Sequence, residues 1–384
     1  MKNNFFKRRR LLLVVFIIVA VLFTGFTVSR EIGSTKELHG KIQLSGKIIS
    51  NDGSSVEGLE LALYANMDSY PENPLVVSST KKDGRFKMKT GSPQPYVLEV
   101  RGKTGAGRVF LPFSDATNDL EITYPIQEKI VVLHTNDLHF TLNKTQEFAA
   151  VLERMRKENK DVYLLSAGDI FVRHKEGWRV NDQQMGTDWY LEKSMNMIRH
   201  MNKSAYDVMA PGNHDLGYID HFTREALDSA KFPLIAANIE VSTDKFPPVK
   251  PYVLFSTSTW RKIAVLGLVS DKSIKEGLKE LDVSETARKY LSLRSSSDIF
   301  LALTHVGTRK DRALANEFPE FDAIIGGHSH DLLREAITLN NVLIAQAGGN
   351  KHVVSENHKV YLGIIEFILE NGILKEKKGR VIEI

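Results

Sequence analysis

The chain has 384 residues, a net charge of +4, an apolar content of 42% and no cysteine. The length leaves room for two domains besides a leader. The missing thiols exclude disulfides and every cysteine-ligated zinc or iron–sulfur centre, so a metal would have to be held by His, Asp, Glu or Asn. The small charge, with no Lys/Arg run interleaved with aromatics, gives no nucleic-acid groove.

At the N-terminus, Lys2, Lys7, Arg8, Arg9 and Arg10 precede an uncharged apolar stretch that runs from Leu11 to Val28. About 17–25 apolar residues span a bilayer, and Thr27-Val28-Ser29 is a weak cleavage site. Residues 1–30 are therefore expected to be a basic cytoplasmic tip and an uncleaved transmembrane anchor. The lipid bilayer is then a partner, and the protein is a single-pass protein of the cell membrane with the rest of the chain extracytoplasmic. The alternative is a cleaved, secreted form. Residues 31–38 are polar and read as a linker.

Residues 39–126 read as short alternating strands separated by turns. Gly46-Lys47-Ile48 leads to Asp52-Gly53, Asp83-Gly84-Arg85-Phe86 follows, and then Tyr96-Val97-Leu98-Glu99-Val100. This pattern argues a small β-sandwich and resembles the carboxypeptidase regulatory-like module. With no acidic cluster or aromatic stripe, it is expected to be a spacer or packing unit.

From residue 127 to 384 strands alternate with helices. Ile130-Val131-Val132-Leu133 is continuously apolar, as a strand buried on both faces should be. Phe148, Val151, Leu152 and Met155 then recur at helical spacing. Strand-like runs return at 162–165, 207–210, 234–237, 263–269, 299–303, 323–325, 342–345 and 361–369. The fold class predicted is α/β: a two-sheet core flanked by helices, preceded by the sandwich and the N-terminal transmembrane segment.

Five motifs sit at the ends of these runs: His134-Thr135-Asn136-Asp137-Leu138-His139, Gly168-Asp169, Gly212-Asn213-His214-Asp215, Thr304-His305 and Gly327-His328-Ser329-His330. Ligands of α/β sheets bind just past the carboxyl ends of strands. In Asp137-x-His139 and His328-x-His330 an extended backbone points both side chains the same way. Gly168, Gly212, Gly326 and Gly327 permit the tight turns beside them. Two aspartates, an asparagine and several histidines brought together in this way make a dinuclear metal site. His134 and Asn136 are expected to orient ligands. His39, His174, His200, His221, His352 and His358 lack such a setting.

In this order the motifs resemble those of the calcineurin-like metallophosphoesterases. The opening from Leu133 to His139 resembles their 5′-nucleotidase branch in particular. The resemblance implies one metal held by Asp137, His139, Asp169 and His330, and a second held by Asp169, Asn213, His305 and His328. The ions would be zinc, manganese or iron. It also implies hydrolysis of a small phosphorylated substrate by a metal-bridging hydroxide, with His214 meeting the phosphate as the catalytic side chain. That substrate is a nucleotide, another phosphomonoester or a cyclic phosphodiester. The alternative is a catalytically inactive, metal-containing cell-surface binding protein.

Two departures stand out. Gly217 occupies the position where relatives carry an aspartate paired with the motif histidine, leaving Asp215 and Asp220 as the nearby carboxylates. The sequence is also read as lacking the C-terminal nucleotidase domain that binds the base in that branch. Arg173, Trp178 and Arg179, in the stretch after Asp169, are the substrate-binding candidates: arginines to clamp phosphate and an indole for an apolar or stacking face. The plainer reading of this stretch is solvated charge on a loop.

Overall fold

In the N-terminal part, side chains alternate between a core and solvent. The strands are β1 (Ile42–Ser50), β2 (Glu60–Tyr64), β3 (Val76–Ser79), β4 (Arg85–Thr90), β5 (Tyr96–Gly102), β6 (Gly105–Leu111) and β7 (Thr117–Tyr124). In β4, Phe86 and Met88 are buried between exposed Arg85, Lys87 and Lys89, the period of two that a half-buried strand requires. One sheet has the order β4-β1-β7 and the other β3-β2-β5-β6. Leu44, Ile48, Phe86, Met88 and Ile122 of the first meet Leu61, Leu63, Leu98 and Val100 of the second in one apolar core.

This is a computed structural model. It describes residues 42–384 apart from 92–95, 112–116, 142–143, 173–178, 181–182, 185, 217–220, 245, 271–276 and 350–358. Ile42–Ile384 cluster as a single unit.

After the sandwich the elements in chain order are β8 (Gln127–Thr135), α1 (Thr145–Glu158), β9 (Asp161–Ser166), β10 (Arg179–Val180), β11 (Gln183–Gln184), α2 (Thr187–Lys203), β12 (Val208–Met209), α3 (Asn213–Leu216), α4 (His221–Asp228), β13 (Ile239–Val241), β14 (Tyr252–Ser256), β15 (Lys262–Val269) and β16 (Leu278–Glu280). There follow α5 (Val283–Lys289), β17 (Ile299–His305), α6 (Thr308–Glu317), β18 (Ala323–Ile325), β19 (Ile337–Leu339), β20 (Val342–Ala345), β21 (Tyr361–Glu370) and β22 (Ile373–Glu383). A five-stranded sheet has the order β12-β9-β8-β21-β22, and a six-stranded sheet the order β14-β15-β17-β18-β20-β19. β12, β9 and β8 are parallel, as are β15, β17, β18 and β20, so their carboxyl ends line up within each sheet.

The layers follow from burial on both faces. Val265, Leu301, Leu303 and Leu343 of the six-stranded sheet share a core with Val132, Ile365 and Phe367 of the other; Phe148 of α1 and Met197 of α2 belong to the same cluster. The alternate residues Ala264, Leu266, Phe300 and Ile344 pack on Ala287 of α5 and on Leu314 and Ala315 of α6. Each large apolar side chain removed from water in this way stabilises the fold by about 1.5–3 kcal/mol.

Two expectations need correction. The membrane anchor placed at residues 1–30 lies outside the described residues, and among those described no helix is long and apolar enough to cross a membrane. The longest, α2, has 17 residues and carries Asp188, Glu192, Lys193, Arg199 and Lys203; a charged helix of that length cannot fill the hydrocarbon layer. The fold is therefore an α/β core with flanking helices and a sandwich, without a transmembrane element among the described residues. The transmembrane part of the predicted fold class, the lipid-bilayer partner, the signal anchor and the single-pass location are set aside with it. Second, residues 234–237 do not form a strand: Leu234 and Ile235 make only single bridges, to Met209 and Lys250. Beyond β21 the charged β22, which no strand-like run in the sequence marked, continues the sheet.

Candidate metal centre

The carboxyl ends of five parallel strands deliver the motif side chains. Asp137 and His139 follow β8, Asp169 follows β9, and Asn213 and His214 open α3 just after β12. His305 is the last residue of β17, and His328 and His330 follow β18. Two sheets thus contribute, and the loops that leave them are laced together. Asp137 N donates to Gly168 O at 2.9 Å, and His139 N donates to Asp169 O at 3.0 Å. Across the sheets, His328 N donates to Asp137 Oδ2 at 3.1 Å.

Asp137, His139 and His330 offer ligand atoms that all lie within 4.8 Å of one another, and so do Asp137, Asp169 and His305. His330 Nε2 stands 3.3 Å from Asp137 Oδ1. Asp169 Oδ2 is approached by His305 Nε2 at 3.3 Å, His139 Nε2 at 3.9 Å and His214 Nε2 at 4.0 Å. Asn213 Oδ1 gathers the last imidazole, with His328 Nδ1 at 2.7 Å, and also meets His305 Nε2 at 3.3 Å. All eight motif side chains therefore converge. Asp137 belongs to both groups, whereas Asp169 is the carboxylate that three imidazoles approach at once.

The backbone at these positions is unusual. Asp137, His139, Asp169, His328 and His330 all have positive φ, between 45° and 79°, and so does Phe140 at 62°. Side chains other than glycine rarely enter this region, and such conformations persist where the surroundings over-determine them. Asp215 supplies part of that support. It is fully buried, and its carboxylate accepts from Asp169 N at 2.8 Å, Gly212 N at 2.8 Å and Phe171 N at 3.1 Å. Its oxygens are turned to the backbone rather than to the His214 ring. Gly212 is needed for a second reason: a Cβ there would fall 2.1 Å from Asp169 Oδ1. Asn136 donates to Asp137 Oδ2 at 2.6 Å and orients it.

The electrostatics call for positive charge. Burial pushes Asp137 up to about 7, the His305 charge opposing and Asp169 adding. Burial works against ionisation of Asp169 too, but the charge and hydrogen bond of His305, with His214 and His139, hold it below the usual carboxylate range. His305 moves the other way: burial opposes its proton, yet Asp169 and Asp137 push it up to about 10. Burial drops His139 to about 3, which leaves it neutral. Its Nδ1 meets Phe171 O at 2.8 Å, and His305 Nδ1 meets Ala167 O at 2.5 Å. A carbonyl only accepts, so both Nδ1 atoms carry hydrogen and both Nε2 atoms are left to face the cluster as ligand atoms. Carboxylates, an amide oxygen and imidazoles in this arrangement fit a pair of divalent ions such as zinc, manganese or iron. Ion binding would displace the proton that His305 otherwise holds against the aspartates.

Other sequence candidates stand apart. Arg173, Trp178, Gly217 and Asp220 lie outside the described residues; Arg179 opens the short strand β10, whose partner is β11. His134 does not orient a ligand. It is fully buried opposite Gly363 of β21, and neither ring nitrogen makes a hydrogen bond among the described residues. Asp215 had only its adjacency to His214 to mark it. Gln346, just past β20, had no signal in the motifs and is buried beneath the loop of His328 and His330.

The calcineurin-like phosphoesterase family model matches residues 130–332, more than half of the chain, and reaches all five strands that bear the site, β8 from Ile130 onward. The chain belongs to that family. It is 25% identical over 299 residues to the trifunctional nucleotide phosphoesterase protein YfkN of Bacillus subtilis, covering 66% of this chain and 19% of YfkN. It is 28% identical over 255 residues to the uncharacterized metallophosphoesterase YunD of the same organism, covering 64% and 51%. The structure of the 5′-nucleotidase precursor from Thermus thermophilus superposes with a TM-score of 0.55 at 20% identity, over 66% of this chain and 54% of that one, a likeness of fold. The chain spans about half or less of the length of these curated relatives.

Proposed function

We propose that the protein hydrolyses phosphate esters with two divalent ions. Asp137, His139, Asp169 and His330 would hold one ion, and Asp169, Asn213, His305 and His328 the other. The observation that carries this reading is the convergence of the eight motif side chains, from two sheets, around two buried carboxylates. When bound, two ions supply a water of lowered pKa and offset the charge on phosphoryl oxygens. The chain's own residues do the rest. Asp169 Oδ1 accepts from His214 N at 2.7 Å, which aims Oδ2 at the imidazoles. The His214 ring, 4.8 Å from that of His139, borders the site and would donate a hydrogen bond to a phosphoryl or leaving oxygen. The names of YfkN and of the Thermus protein favour a nucleotide; another phosphomonoester or a cyclic diester fits the same site.

The test is the full chain, loaded with zinc, manganese or iron and assayed on a panel of mono- and diesters beside Asp169→Asn. Turnover of at least one ester is expected. Asp169→Asn should lose well over the roughly 10–100-fold that follows removal of a mere supporting partner. Metal binding without turnover of any ester would leave only a binding protein. Turnover unchanged in Asp169→Asn would refute the site.

A further inference from the structure

Gln346 lies one residue past β20, fully buried, and holds no ligand position. Its side chain makes three hydrogen bonds, all to the loop that carries two of the imidazoles. Nε2 donates to Gly327 O at 2.9 Å, while Oε1 accepts from Ser329 Oγ at 2.9 Å and from Asp331 N at 2.6 Å. Gly327 O can only accept and Asp331 N–H can only donate, so the amide has one workable orientation. The loop above needs such an anchor. His328 and Ser329 are exposed, and His328 and His330 take φ of +79° and +57°. An exposed turn in that region has competing conformations unless something beneath it fixes one.

The three residues after Gln346 reach the loop from the other sheet. Ala347 N donates to Asn136 Oδ1 at 2.8 Å, and Asn136 Nδ2 donates to Gly348 O as well as to Asp137. Gly349 passes so close that a Cβ there would fall 2.5 Å from Asp137 Cβ and 3.2 Å from His330 Cγ. Residues 346–349 therefore form a plate under the centre that touches both motif loops.

We propose that Gln346 is a positioning residue. Acting through residues 327–331, it holds His328 and His330 at the spacing that two divalent ions require and, through residues 347–349, in register with Asp137. This rests on the two-ion reading above.

The test uses the full chain and Co²⁺ as a probe, followed by visible absorption and calorimetric titration, with melting of the metal-free protein in parallel. Gln346→Met keeps the length of the side chain and removes its hydrogen bonds. Its Co²⁺ affinity should fall about 10–100-fold, the usual effect of losing a partner that orients a ligand. Excess metal should restore turnover with KM unchanged. Asn371→Ala is the control: Asn371 Oδ1 accepts from Ile126 N at 3.0 Å in the distant β21–β22 turn, so this variant should melt earlier with the wild-type isotherm. Should Gln346→Met fail to fold, Ser329→Ala removes one of the three bonds and should weaken Co²⁺ binding several-fold. A wild-type isotherm in whichever of these two variants folds would overturn the inference and leave the two-ion reading intact. A wild-type chain that binds no Co²⁺ would overturn both.

Discussion

Individual side chains at this centre divide into those that would meet the two proposed ions and those that orient them. Asp215 belongs to the second kind. Replacing it by Asn exchanges one accepting oxygen for an NH₂ that faces backbone N–H groups, so the turn of Asp169 and Gly212 loosens. Asp215→Asn should lower metal affinity and turnover by about 10–100-fold, measured as the metal concentration for half-maximal rate. His134 makes a different prediction. Burial drops its pKa to about 4 from an ordinary 6.5, so the unfolded chain takes up a proton there before the folded one does. Its contribution to stability is complete above about pH 6.5 and is lost as pH falls toward 4. Denaturant unfolding of the metal-free chain should show a shallower loss between these pH values in His134→Leu than in the wild type.

At the level of elements, the strands that end in ligands were legible because each is a continuous apolar run closed by a short polar motif. Residues 130–133 and 299–303 are apolar throughout, and the structure buries them on both faces. What escaped the sequence did so for physical reasons. β22 reads Ile-Leu-Lys-Glu-Lys-Lys-Gly-Arg, a solvated pattern, and it lies at the edge of its sheet beside β21. Residues 234–236 are apolar because they are buried, yet they pair only through the single bridges of Leu234 and Ile235. Gln346 lies outside every motif, and nothing in local spacing shows that a strand end meets a loop 15 to 19 residues away. The β12–α3 turn leaves no room for a larger side chain at Gly212. Gly212→Ala would drive a methyl group into Asp169 Oδ1 and should cost about 100-fold in turnover, the usual effect of a misplacement of about 1 Å. Steady-state kinetics at saturating metal tests it.

Over the whole described molecule, the sandwich and the α/β core are joined by a buried polar seam. Arg261 Nη2 donates to Glu128 Oε1 at 2.6 Å and to Ala106 O at 2.7 Å, the charged side chains being only 5% and 6% exposed. Thr259 Oγ1 donates to Glu128 Oε2 at 2.6 Å, and Arg108 Nη1 of the sandwich donates to Thr259 O at 3.3 Å. Trp260, at φ +62°, closes edge-on against Tyr64 and Tyr70 of the sandwich. The spacer expected from the sequence is thus tied to the α/β core by hydrogen bonds from two buried arginines. Arg261→Met leaves Glu128 buried without its guanidinium and should destabilise the chain by about 3–5 kcal/mol in denaturant unfolding. The candidate metal centre, on the far end of the strands from Glu128 in β8, should keep its metal stoichiometry in the folded fraction. That stoichiometry is where the reading of this protein is most exposed. The full chain, stripped and titrated with Mn²⁺, should bind two ions, and Asp169→Asn should bind fewer than two and lose turnover. Two ions held by Asp169→Asn with wild-type affinity would contradict the assignment of a shared centre built around Asp169.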